Sequence, residues 1–462
     1  MGLRKITTSV FLSVLAACGA APEQLADHSD AITALPPDAP QNLSAAQLRV
    51  ERSMIVTDAA ALAHFPLRRV MNTIAASEPE TTTNGTRLFR KLWAAQRARG
   101  GNDADRLFFC DDVGGALGDQ SVTCPRAEAS LENDAPDAFI PTALVNRFDL
   151  APTNGANCGE YRIVYAMPRA PFSFGRNFMI FEAVLPNPNP SRGLEGCRPV
   201  ANFWARQSRI NNANTRANRL RRFYYSGIDG FEPVIERTHY GLRRTYELPN
   251  GRRRARRWGQ IRTNEFIQAP WMLREFKLNV SCDSASCDLL AQPVRTVDTP
   301  QIDLWDGSDA QYNADFVDKI GRLLPADNRP ESLSLVSSGR YDMAEDDVVG
   351  KSYSPSGALR SAINAALRER GSGLNANQIG RRVQTQTCAG CHQLSNGVAL
   401  GGGMGSWPSS LGFVHIDENS RLSSALTTVF IPHRQGVLAD YLASGVTVAA
   451  SEDRSLGGAT TH

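Results

Sequence analysis

The sequence predicts an α+β multidomain protein: a helical N-terminal region, a β-rich, disulfide-containing central domain and an all-α C-terminal module. Three observations predict it. Apolar residues recur at helical spacing over about 49–137, alternate as strands do within 138–300, and return to helical spacing after 354. A chain of 462 residues is long enough for two or three domains with cores of their own. Nine cysteines, most of them upstream of the last hundred residues, point to disulfides in the middle of the chain.

The elements follow in order. Arg4 and Lys5 precede a mostly apolar run, Ile6 to Ala17, interrupted by Thr7, Thr8, Ser9 and Ser13. It is too short to span a bilayer and has the form of a secretory signal over residues 1–17. Its end, Leu15-Ala16-Ala17-Cys18, resembles the bacterial lipobox, in which the chain is cut before the cysteine and the thiol is lipidated. The resemblance implies an exported lipoprotein of the cell envelope, held on a lipid bilayer through acyl chains on Cys18. Gly19 replaces the aspartate that retains many lipoproteins at the inner membrane, so the outer membrane is favoured, facing periplasm or surface. No other apolar run reaches the roughly 18 residues a membrane span needs. Residues 18–48, with Pro36, Pro37 and Pro40, read as a flexible tether.

In the helical region, 49–137, Phe65, Leu67, Val70 and Met71 form one apolar stripe and Leu88, Phe89, Leu92 and Trp93 another; both read as core. In the β-rich domain, 138–300, the strands are Tyr161 to Tyr165, Phe178 to Val184 and Phe276 to Val280, with a helix over about 211–222. Trp204, Trp258 and Trp271 are expected in the core ahead of lining a groove. A connector, 301–353, carries one helix from about Ala310 to Leu324. Its acidic start, Asp303 to Asp309, lacks the alternating spacing of a calcium loop, so calcium is not expected there.

One short string carries the chemistry. Cys388-Ala389-Gly390-Cys391-His392 has two thiols separated by two residues and a histidine directly after them, the attachment pattern of c-type haem. Each thiol adds to one porphyrin vinyl group, and His392 is then placed to bind the iron as proximal ligand. The region 354–450 resembles the cytochrome c class: a helix runs into the string, a glycine-rich loop follows, and helices are expected near 420–429 and 433–442. A short tail, 451–462, ends the chain. The resemblance implies haem c, one per chain and covalent, with iron cycling between ferrous and ferric states and an unknown redox protein as partner. The distal ligand is left open between Met404 (in Gly401 to Gly405), His415, His433 and an open position. Methionine or histidine there suits electron transfer; an open position suits a haem enzyme or gas-binding protein. Electron carriage is the expectation over catalysis. A surface lipoprotein without haem, its Cys388 and Cys391 simply joined, is the remaining alternative.

With Cys18 assigned to lipid and Cys388 and Cys391 to haem, the remaining cysteines are Cys110, Cys124, Cys158, Cys197, Cys282 and Cys287. Their even number suits disulfides in an oxidising compartment. Proximity favours Cys110–Cys124, Cys158–Cys197 and Cys282–Cys287, although other connectivities are open. The formal charge of +3 implies no polyanionic partner. Two arginine clusters, Arg216 to Arg222 and Arg252 to Arg257, would suggest nucleic acid in an intracellular protein; in an exported one they do not. Nucleophile elbows, zinc helices of the His-Glu-x-x-His type and phosphate loops are absent from the sequence, so no catalytic residues are assigned.

Overall fold

The computed structural model describes residues 33–94, 135–168, 176–241, 259–265, 271–282, 286–294, 297–300, 302–333, 342–344 and 353–445, and a few short pieces between them. The signal and lipobox with Cys18, the Cys110–Cys124 pair and Trp258 lie outside the described residues.

A seven-stranded sheet organises the molecule. Its strands are β1 (Ile55–Val56), β2 (Ile140–Arg147), β3 (Asn157–Ala166), β4 (Asn177–Pro186), β5 (Gln260–Glu265), β6 (Met272–Cys282) and β7 (Cys287–Val294). They lie side by side in chain order, every pair antiparallel. Strand side chains alternate between faces, and here the two faces differ in kind. One face carries Leu144, Tyr161, Ile163, Tyr165, Phe181, Ile261, Phe276 and Leu278, all buried. Helices α1 (Leu67–Ala76), α2 (Gly85–Ala94), α3 (Arg198–Gln207) and α4 (Ala213–Ser226) contribute to its core. Both stripes read from the sequence, Leu67, Val70 and Met71 and then Leu88, Phe89 and Leu92, are buried there. Trp204 stacks on Tyr161 with ring centroids 5.8 Å apart, so it is core, as is Trp271.

The other face carries charge. Register pairs Arg147 with Glu160, Arg162 with Glu182, and Arg262 with Glu275 across successive strands. The C-terminal part of the chain lies over this face. Helix α5 (Ala310–Lys319), with α6 (Gly357–Glu369) and α7 (Ala376–Gln384), builds a second core around Trp305, Phe316, Leu359, Ile363, Ile379 and Leu400. The last helix, α8 (Ile431–Ser444), instead joins the sheet's core: Tyr441 packs on Phe148 at 4.8 Å, and its hydroxyl donates to the Leu194 carbonyl at 2.8 Å.

That arrangement corrects the expected fold class. The fold is a mixed α+β one around a central antiparallel sheet; the C-terminal region is not an all-α cytochrome c-like module. Val414, Ile416, Leu426, Ile431, Leu438 and Leu442 bury themselves in the sheet's core and not in one of their own. Arg198 donates to the carbonyls of Tyr441 and Leu442, and Gln435 to that of Leu48, tying the last helix to segments more than two hundred residues upstream. The two helices expected near 420–429 and 433–442 form one run, with a wide π-turn over Leu426–Phe430 leading into Pro432. Proline lacks the N–H an α-turn requires, and the irregular turn accommodates it.

The sequence also hid the docking of residues 35–48. Leu35, Leu43 and Leu48 are buried, Leu35 bridges to Ile228, and Asp38 pairs with Arg219. The cluster from Arg216 to Arg222 therefore works inward: Arg216 pairs with Asp58 at 2.6 Å and Arg222 donates to the Thr33 and Ala34 carbonyls. Disulfides join Cys158 to Cys197 and Cys282 to Cys287. The first fastens β3 to the start of α3; the second closes the turn between β6 and β7.

Candidate haem-attachment site

Helix α7 is closed at its start by a capping box, Asn375 with Gln378, and it ends at Gln384, before the string. Thr387 then starts a new turn: its hydroxyl accepts from Gly390 N at 2.8 Å and its carbonyl from Cys391 N at 2.8 Å. Only glycine suits position 390, because an added Cβ would lie 1.7 Å from the Gln384 carbonyl oxygen. Cys388 is buried in a small cluster with Trp271 and Leu273 at the end of the sheet; Cys391 is half-buried against the second core.

His392 points toward the sheet side. Its Nδ1 lies 2.8 Å from the Phe413 carbonyl, and its ring is 5.7 Å from Trp271. A carbonyl only accepts, so Nδ1 donates to it, and in the neutral ring the lone pair is then on Nε2. His415 lies against it, ring centroids 4.6 Å apart. The His415 Nε2 is 3.3 Å from the Cys391 sulfur and its Nδ1 2.9 Å from the Ser423 hydroxyl. Desolvation, helped by His392 and Arg434, holds the His415 imidazole well below its ordinary pKa, hence neutral at neutral pH.

The other expected ligands sit elsewhere. Met404 is buried in the second core at the tip of a short turn, where Arg382 holds the carbonyls of Leu400 at 3.0 Å and Gly401 at 2.8 Å. His433 is half-buried on α8, close enough to Asp149 to help keep that carboxylate ionised. Of the three distal candidates, His415 is the one in ring contact with His392.

Under the string lies the charged face. Glu160, Glu182 and Glu275 interleave with Arg162, Arg262 and Lys277, all buried or nearly so. Asp149, Arg147 and Arg434 continue the lattice toward α8. Burial opposes the Arg262 charge, but Glu182, Glu275 and the Cys388 sulfur together outweigh it and raise its pKa. Burial raises the Glu160 pKa, against Arg162 and with Glu182. Arg434 is pushed down to about 9, first by burial and then by Arg147. Arg262 is the member of this lattice that couples to the Cys388 sulfur.

The donors suit a covalent haem: two thiols, one histidine whose Nδ1 is held by a carbonyl, and a second, neutral imidazole. The segment that carries His415 has glycine at 412, and Phe413 adopts φ 60°. On the outer side of that segment is an open cleft of about 630 Å³, bordered by Arg176, Leu411, Gly412, Glu418 and Arg421.

Elsewhere, Glu232, Glu236 and His239 bring ligand atoms within 4.8 Å of one another. His239 contacts Val234 O at 3.2 Å and Glu232 at 3.0 Å, and Glu236 accepts from Thr238 N at 2.7 Å, so this group is knit together by internal hydrogen bonds. Asp309, in the acidic stretch before α5, caps that helix by accepting from Tyr312 N at 2.8 Å. No described helix is long and apolar enough to cross a membrane.

Sequence reasoning did not single out Arg176, Asn264, Phe413 or Ser423, and placed Trp271 in the core ahead of lining a groove. Nothing in their local spacing could have found them, since they stand on strands and loops far from the string in the chain. Compared with protein-family models, with curated proteins and with solved structures, the chain matches none.

Proposed function

We propose that the protein carries one haem c, bound through Cys388 and Cys391, and passes single electrons. His392 is the proximal ligand and His415 its counterpart. The observation that supports this most is the second imidazole, kept neutral and in ring contact with the histidine of the attachment string. A neutral imidazole is the form that binds metal. Haem would supply the redox chemistry when bound; Cys388 and Cys391 would hold it by thioethers, so that a change of iron charge cannot release it, and His392 and His415 would ligate the iron. Export and lipid attachment at Cys18 belong to the same reading; the lipobox-like string supports them, and two disulfides suit an oxidising compartment.

Ligand substitution tests the assignment. His415→Ala is expected to convert a low-spin form indifferent to CO into one that binds CO, whereas Met404→Ala is expected to leave the spectrum low-spin. The reverse pattern would return the axial role to Met404.

A further inference from the structure

We propose that Arg176 and Asn264 are positioning residues that fix the orientation of His392 through the backbone carbonyl of Phe413. The electronic consequence rests on the haem reading above; the positioning itself does not.

The Phe413 carbonyl has two lone pairs, and two donors use them: His392 Nδ1 at 2.8 Å and Asn264 Nδ2 at 3.0 Å. Asn264 cannot be turned the other way round. Its Oδ1 accepts from the Trp271 indole N–H at 2.6 Å, and an indole nitrogen only donates. Trp271 then stacks on the Phe413 ring at 5.2 Å, closing a ring of contacts around one peptide unit. Asn264 and Trp271 are both almost fully buried.

Phe413 has φ 60°, in the left-handed region that a bulky side chain rarely adopts. Something must hold it there, and Arg176 does. Its guanidinium donates to the carbonyls of Leu411 and Gly412 and grips the Glu418 carboxylate at 2.8 and 2.7 Å. Three successive carbonyls, 411 to 413, are thus each assigned to a fixed donor. Arg176 directly precedes β4, and Asn264 of β5 pairs across from Phe178 of β4, so both anchors stand at the same end of the sheet. The sheet thereby sets the tautomer and ring plane of a histidine that belongs to a distant turn. A hydrogen bond from the non-ligating nitrogen of a metal-bound histidine strengthens it as a donor, so these anchors would also tune the iron.

The test uses the full-length chain with ¹⁵N-labelled histidine. In the haem-free wild type, long-range ¹H–¹⁵N spectra are expected to show His392 as a single tautomer protonated at Nδ1. Asn264→Leu and, separately, Arg176→Lys are expected to give a mixture of both tautomers. Lysine keeps a charge for Glu418 but cannot span two carbonyls and a carboxylate, so it isolates the clamp from the ion pair. In haem-loaded protein both variants are expected to shift the midpoint potential with haem content unchanged. A single Nδ1–H tautomer retained in both variants, or a fall in stability with tautomer and potential unmoved, would overturn the proposal. Wild-type protein that takes up no haem would remove the haem reading and leave the tautomer result to decide the positioning.

Discussion

Asp149 is a carboxylate sealed between guanidiniums, and its chemistry reaches the whole molecule's acid stability. Burial alone would raise its pKa, but Arg147 and Arg434 outweigh that and hold it at about 2, below its ordinary 3.8. A depressed carboxylate stabilises the fold above its unfolded pKa and loses that contribution as pH falls through the folded value. Asp149 should therefore contribute about 2 kcal/mol above pH ~4, lost between pH ~4 and ~2. Asp149→Asn, by leaving two buried guanidiniums short of a partner, is expected to cost about 3–5 kcal/mol at pH 7 and to flatten that acid limb. Urea denaturation at stepped pH reads both effects; an unchanged limb would mean that the charge is not held there. At this scale the sequence was legible where chemistry is written contiguously, as in Cys388 to His392. It was silent about Asp149, Arg434 and Asn264, because partners brought together by strand register leave no local signature.

Elements were legible wherever periodicity was strong. Tyr161 to Tyr165 alternates and Phe178 to Val184 is an apolar β-rich run because these strands meet the core, and α1 and α2 show their stripes because they face it too. Strand register could not be read, since the charged residues of β3, β4, β5 and β6 look like solvent-facing positions until the C-terminal chain covers them. The helix before the string was drawn too long, because it stops at Gln384 with no proline or glycine at 385–387 to mark the break. The two disulfides differ in what they constrain. Cys158–Cys197 closes 39 residues and Cys282–Cys287 closes 5. Loop-closure entropy then gives about 4 kcal/mol for the first and about 2 kcal/mol for the second. Paired alanine substitutions with guanidinium denaturation check the order; equal losses would point to native-state packing in place of chain entropy.

For the whole molecule, the sequence correctly placed helices around the string but implied that they close on themselves. They do not, because their apolar residues are divided between two cores and their polar side rests on a charged sheet. A fragment of residues 354–450 is accordingly expected to lack cooperative unfolding and to show poorly dispersed NMR signals, whereas a self-contained module would give a sharp transition and dispersed spectra. The same dependence makes the sheet part of the proposed haem site: Trp271 lies against His392, Arg262 couples to the Cys388 sulfur, and Asn264 donates to the Phe413 carbonyl that His392 also uses. The central claim is that this string carries iron porphyrin. The most direct measurement is a pyridine haemochrome spectrum, with intact mass, on protein made in a host that matures c-type cytochromes. The account predicts a c-type spectrum and the added mass of one haem, both lost when Cys388 and Cys391 are replaced by alanine. Colourless protein, with no mass beyond the processed chain and its lipid, would contradict it.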